Sequence, residues 1–279
     1  MESPLPSYSR PLTSSGIPPS SPYQNGFAGR PQSQSLDQRI PLIFRRLHRF
    51  KHMDFEQAAW QLTYLCIAPR RVYRNVYFHK QTKNQWARDD PAILVLIGAC
   101  LAVAAVAWSL VYSYSFSQTL ELIFFMIVRD FLLSGIVVAT ILWLLSNRLL
   151  VQLTPTSHYT HNSTSDSRVE WAYAFDVHTN AFFPLFLTLY VAQLCFLPIV
   201  LRGEKDRQQN WLYMWVGNTL WVGGFAQYIY GIYLGLNALP FLTHSQLLLF
   251  PLLPLFTAYV ISLIGFPIAR PVLAWYFGS

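Results

Sequence analysis

Apolar residues dominate five stretches of this chain, at about 92–113, 122–146, 181–201, 211–236 and 247–269, while polar and charged residues gather before and between them. At ~1.5 Å rise per residue, each stretch is long enough to cross a ~30 Å hydrocarbon core. The expected fold class is all-α: a polytopic membrane protein with five transmembrane helices, preceded by a disordered tail and cytosolic amphipathic helices. Asp90 followed by Pro91 marks the first helix start, as an N-cap residue with proline at the first helical position. Pro184, Pro198, Pro251, Pro254 and Pro267 predict kinks in the third and fifth helices.

Upstream of residue 92 the pattern changes twice. Residues 1–38 repeat Pro, Ser and Gly among few large aliphatics, too little apolar surface to offset the entropy of ordering. A disordered tail is expected there, followed by a basic amphipathic arm over 39–91 and the membrane bundle over 92–279. Within the arm, Phe55, Ala59, Leu62 and Cys66 recur at helical spacing, widened by Ala58 and Leu65. Asp54 with Gln57 resembles a capping box, and Pro69 stops the run. This predicts a helix lying on the bilayer or on the bundle, too short to span. The preceding IFRRLHRFKH, residues 43–52, predicts a second and more basic one.

Composition agrees with the pattern: 53% of the 279 residues are hydrophobic and 12% charged, against ~25% charged in soluble domains. The net charge of +7 is unevenly placed, since residues 1–91 hold 13 of the 20 Lys and Arg and 6 of the 13 acids. With the N terminus in the cytosol, 15 basic residues face the cytosol and 4 the other side, Arg129 being left out as intramembrane. The positive-inside rule therefore predicts a cytosolic N terminus and, with five spans, a lumenal C terminus. No secretory signal peptide is visible in the first 35 residues, so the first span is expected to direct targeting. Asn162 opens the one N-x-S/T sequon, in a loop that this topology leaves in the cytosol. It is expected to stay unglycosylated; a glycosidase-sensitive mobility shift, lost in Asn162→Gln, would reverse the orientation.

Four groups of residues are candidates for chemistry. The collar before the first span interleaves Arg70, Arg71, Arg74, Lys80, Lys83 and Arg88 with Tyr73, Tyr77, Phe78 and Trp86. Its rings suit the headgroup level and its cations suit anionic lipid of the cytosolic leaflet, each contributing on the order of 1 kcal/mol. The same pattern serves a protein-docking surface, or single-stranded RNA. Arg129 and Asp130 lie inside the second span, where charges face the bundle and find partners. They point ~100° apart on a helix, so separate partners are expected. Glu170, Asp176 and His178, with His158 and His161 upstream, precede the third span. They match no zinc-protease or cysteine ligand spacing, and helix capping and hydrogen bonding to neighbouring helices is expected. In the fourth span, Gly231 and Gly235 form a GxxxG among Gly217, Gly223 and Gly224 and many aromatics, read first as packing within the chain. Cys66, Cys100 and Cys195 have no metal or redox spacing and are expected to be small buried hydrophobes. No cofactor, metal or catalytic set is indicated.

The collar RRVYRNVYFHKQTKNQWARDDPA, the upstream FKHMDFEQAAWQ and the segment VEWAYAFDVHTNAFFP together resemble the uncoordinated-fifty family. The likeness runs from about Phe44 to the C terminus, while residues 1–38 and the loop 154–168 have no counterpart. The resemblance implies five spans, residence in the Golgi or endoplasmic reticulum membrane, and a non-catalytic role in vesicle-mediated protein transport. It further implies recruitment of a large Arf guanine-nucleotide exchange factor and cell-surface receptor cargo. Some relatives are linked to RNA, which keeps a membrane-bound RNA-binding protein as an alternative. A lipid-handling enzyme or transporter using residues 170–178 is another. The family supplies no site residues to carry over.

Overall fold

The computed structural model describes residues 53–74, 86–88, 90–151, 168–202 and 210–277, all within one compact unit, Ile40–Ser279. The tail, residues 43–52, Tyr77, Phe78, Lys80, Lys83, His158, His161 and Asn162 lie outside the described residues. The fold is mostly helical. Helix α1 is Phe55–Ile67 and α2 is Ala92–Val111; α3 runs Phe116–Leu150, with π-helical turns at Phe125–Leu133 and Ser146–Leu150. Helix α4 joins Trp171–Phe186, a π-helical Leu187–Ala192 and Gln193–Arg202; α5 is Asn210–Asn237, α6 Leu252–Ser262 and α7 Ala269–Phe277.

Four of the described helical segments are long and apolar enough to cross a membrane: Ala92–Val111, Phe116–Leu150, Trp171–Pro198 and Ser245–Ser262. Helix α5 has 28 residues and no Asp, Glu, Lys or Arg, but its Asn, Gln, Gly, Trp and Tyr make it less apolar. Two expected helices change shape. The third begins at Trp171, ten residues before 181, because the polar lead-in is itself helical. The expected 247–269 helix is broken into a 3-10 turn at Ser245–Leu249, then α6, then α7. Pro251 and Pro254 sit at the cap and first turn of α6, where a missing N–H costs no helical bond, so they set its start rather than kink it. Its end is fixed by Gly265, at φ +145° where side chains are strained, and by Pro267.

Asn218 on α5 holds the corner that follows. Fully buried, it donates to Ser262 Oγ and to the Phe266 carbonyl, each at 3.0 Å, and accepts from the Ile268 N–H at 2.7 Å. Asn218→Leu keeps the branching but adds bulk and strands the Ile268 donor, so a loss of at least about 2 kcal/mol is expected. Thermal unfolding in detergent measures it.

Helix α4 is the centre of the unit. Every residue from Tyr173 to Phe183 is buried, as in a helix packed on all sides. At ~1.5 Å per residue, the 28 residues from Trp171 to Pro198 measure ~42 Å, so its polar first turns extend past a ~30 Å core. Its closest neighbour is α5. A Cβ built on Gly235 would meet both Val177 methyls at 2.7 Å, and one on Gly231 would meet Ala181 Cβ at 3.0 Å. The two glycines thus let α5 lie directly on α4.

Helix α1 packs on α2 and α4. The ridge it buries is Ala58, Leu62 and Leu65, while Phe55, Ala59 and Cys66 turn outward. The expected stripe is corrected by a rotation: a helix seated on other helices buries a narrow ridge, not a broad face. Cys195 is exposed as well and Cys100 half-buried, so only Cys100 approaches the expected buried thiol.

Candidate interaction site at the junction of arm and bundle

Asp54 caps α1 by accepting from the Gln57 N–H at 3.0 Å. The return bond of a capping box is replaced, because the Asp54 N–H donates to Asp90 Oδ2 at 2.8 Å. Asp90 Oδ1 accepts from the Ala92 N–H at 3.0 Å, although Pro91 takes the cap position. One carboxylate thereby ties the first turn of the arm to the first turn of α2.

Beyond Ala68 the chain makes a further helical turn over 69–74. Val72 and Tyr73 point inward, leaving Arg70, Arg71 and Arg74 exposed. Arg70 Nε donates to the Tyr230 hydroxyl at 3.1 Å, and the Arg71 guanidinium lies 5.1 Å over the Tyr64 ring. Arg74 has no ion pair among the described residues. Tyr73 is only 4% exposed, and burial pushes its hydroxyl above the usual range, with Arg88 opposing the shift. Among the described residues that hydroxyl makes no hydrogen bond of good geometry, with the Asn180 side chain alongside it.

The far end of the collar is clamped by the polar segment of α4. Glu170 accepts from the Trp86 and Ala87 N–H groups at 3.3 Å each, and Asp176 Oδ2 from the Arg88 N–H at 2.7 Å. Three successive backbone donors thus face two carboxylates. The Arg88 guanidinium lies 3.7 Å from Asp176 and donates to Asn180 Oδ1 at 2.7 Å, which also accepts from Gln61 Nε2 at 3.2 Å. Trp86 is buried edge-on against Tyr173 and Phe241. Tyr73, Trp86 and Arg88 therefore build the junction, and the outward cations among the described collar residues are Arg70, Arg71 and Arg74. Glu170 makes no cap for its own helix, since its oxygens serve the arm.

His178 lies deeper. Its Nδ1 is 2.7 Å from the Tyr228 hydroxyl and its Nε2 3.2 Å from the Phe131 carbonyl. A carbonyl can only accept, so Nε2 carries the proton and Tyr228 donates to Nδ1. The ring packs where Gly135 has no side chain; a Cβ there would meet it at 2.7 Å. His178 thus brackets α3, α4 and α5.

Arg129 and Asp130 correct the expectation of separate partners. Arg129 Nε lies 2.7 Å from Asp130 Oδ1. The π-helical turn around them brings successive side chains closer in angle than an α-helix does. Asp130 also accepts from Tyr190 at 3.0 Å and from Tyr276, while the Arg129 guanidinium stacks near the Phe125 and Tyr276 rings. This is a structural cluster joining α3, α4 and α7, with Asp130 inward and the Arg129 side chain 44% exposed. Among the described residues no three His, Cys, Asp or Glu gather as metal ligands.

Sequence reasoning missed Asn180, Gln61, Asn218, Tyr190 and Tyr276. Asn180 had a signal, four residues after Asp176 and so on the same face of α4. Tyr276 had none, as its contact with Asp130 spans 146 positions.

The model of the UNC-50 family matches residues 43–277, which takes in every residue of this junction. The chain belongs to the UNC-50 family. The unc-50 homolog of Dictyostelium discoideum is 41% identical over 241 residues, covering 86% of this chain and 88% of its own. That of Homo sapiens is 43% identical over 219 residues, 78% of this chain and 79% of its own. The Danio rerio homolog is 42% identical over 220 residues, 78% and 80% of the two chains. No solved structure matches. This UNC-50 family member is thus a membrane protein whose arm is fastened to its bundle by carboxylates of α4.

Proposed function

We propose that this protein is a five-span adaptor or receptor of the Golgi and early secretory membrane, acting in vesicle-mediated transport of cell-surface proteins. Its arm docks a large Arf guanine-nucleotide exchange factor on the cytosolic face, and α5 supplies the fifth crossing. The observation that carries this reading is the division of labour in the collar. Carboxylates and Asn180 hold Trp86, Ala87 and Arg88, burial of Val72 and Tyr73 seats the 69–74 turn, and Arg70, Arg71 and Arg74 face outward from it. A fixed cationic face loses little entropy on binding an acidic partner, and anionic lipid beside it adds avidity.

Two features favour this over the alternatives. Of the collar rings on which an RNA base would stack, the two that are described, Tyr73 and Trp86, are buried. Glu170, Asp176 and His178, which a lipid-handling enzyme would use, are bonded into the scaffold. In cells depleted of the protein, membrane-bound exchange factor is expected to fall and to return with the wild-type chain only. Microscopy showing unchanged recruitment after depletion would reject the reading.

A further inference from the structure

Between α1, the 69–74 turn, α4 and α5 runs an open groove of about 270 Å³. Leu65, Ala181, Pro184, Leu187 and Gly231 give it an apolar lining, with Cys66 among its lining residues. Tyr73 also lines a second, wider recess of about 670 Å³, which holds Arg70 and Arg74. We propose that groove and recess together bind one anionic phospholipid, its phosphate between Arg70 and Arg74 and an acyl chain in the groove.

Four observations support this. Among the described residues no acidic side chain lines either space and none gives either arginine a carboxylate: Arg70 meets only the neutral Tyr230 hydroxyl. Two guanidiniums without carboxylate partners beside an apolar channel match a phosphate joined to a hydrocarbon chain. Second, the two spaces are neighbours: Tyr73 lines both, and Arg70 in the recess donates to Tyr230 in the groove wall. Third, the groove exists because Gly231 and Ala181 keep the α4–α5 surface thin there, and Pro184 lacks the N–H that would bond the Asn180 carbonyl. Fourth, helices long enough to span a bilayer place phospholipid at hand. Free phosphate would satisfy the arginines and leave the groove unexplained. The inference rests on the membrane-spanning bundle and shares Arg70 and Arg74 with the proposed exchange-factor surface, so its test leaves the exchange factor out.

Native mass spectrometry of the full-length protein in non-ionic detergent tests it, with phosphatidylserine, phosphatidylcholine or inorganic phosphate added and no exchange factor present. The wild type is expected to retain one phosphatidylserine about tenfold better than phosphatidylcholine, and millimolar phosphate is expected not to displace it. The double variant Arg70→Gln, Arg74→Gln should lose that preference. Cys66→Trp, an exposed position lining the groove, should lower phosphatidylserine retention by a similar factor with both arginines intact. Equal retention of the two lipids by the wild type, retention unchanged in both variants, or displacement by inorganic phosphate would each overturn the site. Should a variant fail to fold, maleimide labelling of wild-type Cys66, resolved by peptide mapping, decides. Labelling slowed by phosphatidylserine and not by phosphatidylcholine supports the site; equal rates overturn it.

Discussion

Asp176→Ala lowers the stability of the detergent-solubilised protein by about 3 kcal/mol, the low end for removing one partner of a buried ion pair. The low end applies because the Arg88 side chain keeps 21% exposure and can recover some hydration, whereas that of Asp176 keeps 8%. The carboxylate accepts from the Arg88 backbone at 2.7 Å and lies 3.7 Å from its guanidinium. Losing it leaves a half-buried cation and an orphaned amide. Arg88→Ala should cost less, because the backbone N–H of residue 88 still donates to Asp176. The double variant should cost clearly less than the sum, a coupling of about 1–3 kcal/mol, measured by chemical or thermal unfolding. Strict additivity would mean that the clamp contributes nothing as a pair. Faster tryptic cleavage at Arg70, Arg71 and Arg74 should accompany the loss, since this contact fastens the arm.

Gly235→Ala is expected to cost about 2–3 kcal/mol, while Gly223→Ala in the same helix is neutral or stabilising by a few tenths. The added methyl at 235 would meet both Val177 methyls at 2.7 Å and the Tyr73 ring at 3.1 Å. At 223 nothing lies within 4 Å. To admit the methyl, α5 must move away from α4, which disturbs the Tyr173 hydroxyl donating to the Gly235 carbonyl at 2.6 Å. Tyr73 moves with it, so this substitution should also loosen the arginine turn. Equal melting temperatures for the two variants would show that the α4–α5 contact is softer than its geometry implies.

The helices were legible in the sequence because apolar runs of this length have few other solutions in a chain so poor in charge. The 92–111 helix and its Asp90 signal came directly from local pattern. What pattern could not give was the partner of each polar group. Glu170 and Asp176 are 84 and 88 positions from the amides they hold, and no local rule couples such distances. The rotation of α1 was missed for a related reason. Ala58, Leu62 and Leu65 and the Phe55, Ala59 and Cys66 set are both at helical spacing, and only the neighbouring helices decide between them. The break in the 247–269 run was partly visible in its prolines, but Gly265 at positive φ, not a kink, ends the helix. Arg129 and Asp130 failed differently: the ~100° argument assumes an α-helix, and the turn there is π-helical.

In the proposed function, a turn seated on the bundle presents Arg70, Arg71 and Arg74 to an exchange factor. The most direct test of this claim is a gentle-detergent pull-down of the tagged full-length protein beside the Arg70→Glu, Arg71→Glu, Arg74→Glu variant, at equal expression and matched melting temperature. The predicted result is recovery of a large Arf exchange factor with the wild type and its loss with the variant. Equal recovery with both proteins would contradict the claim.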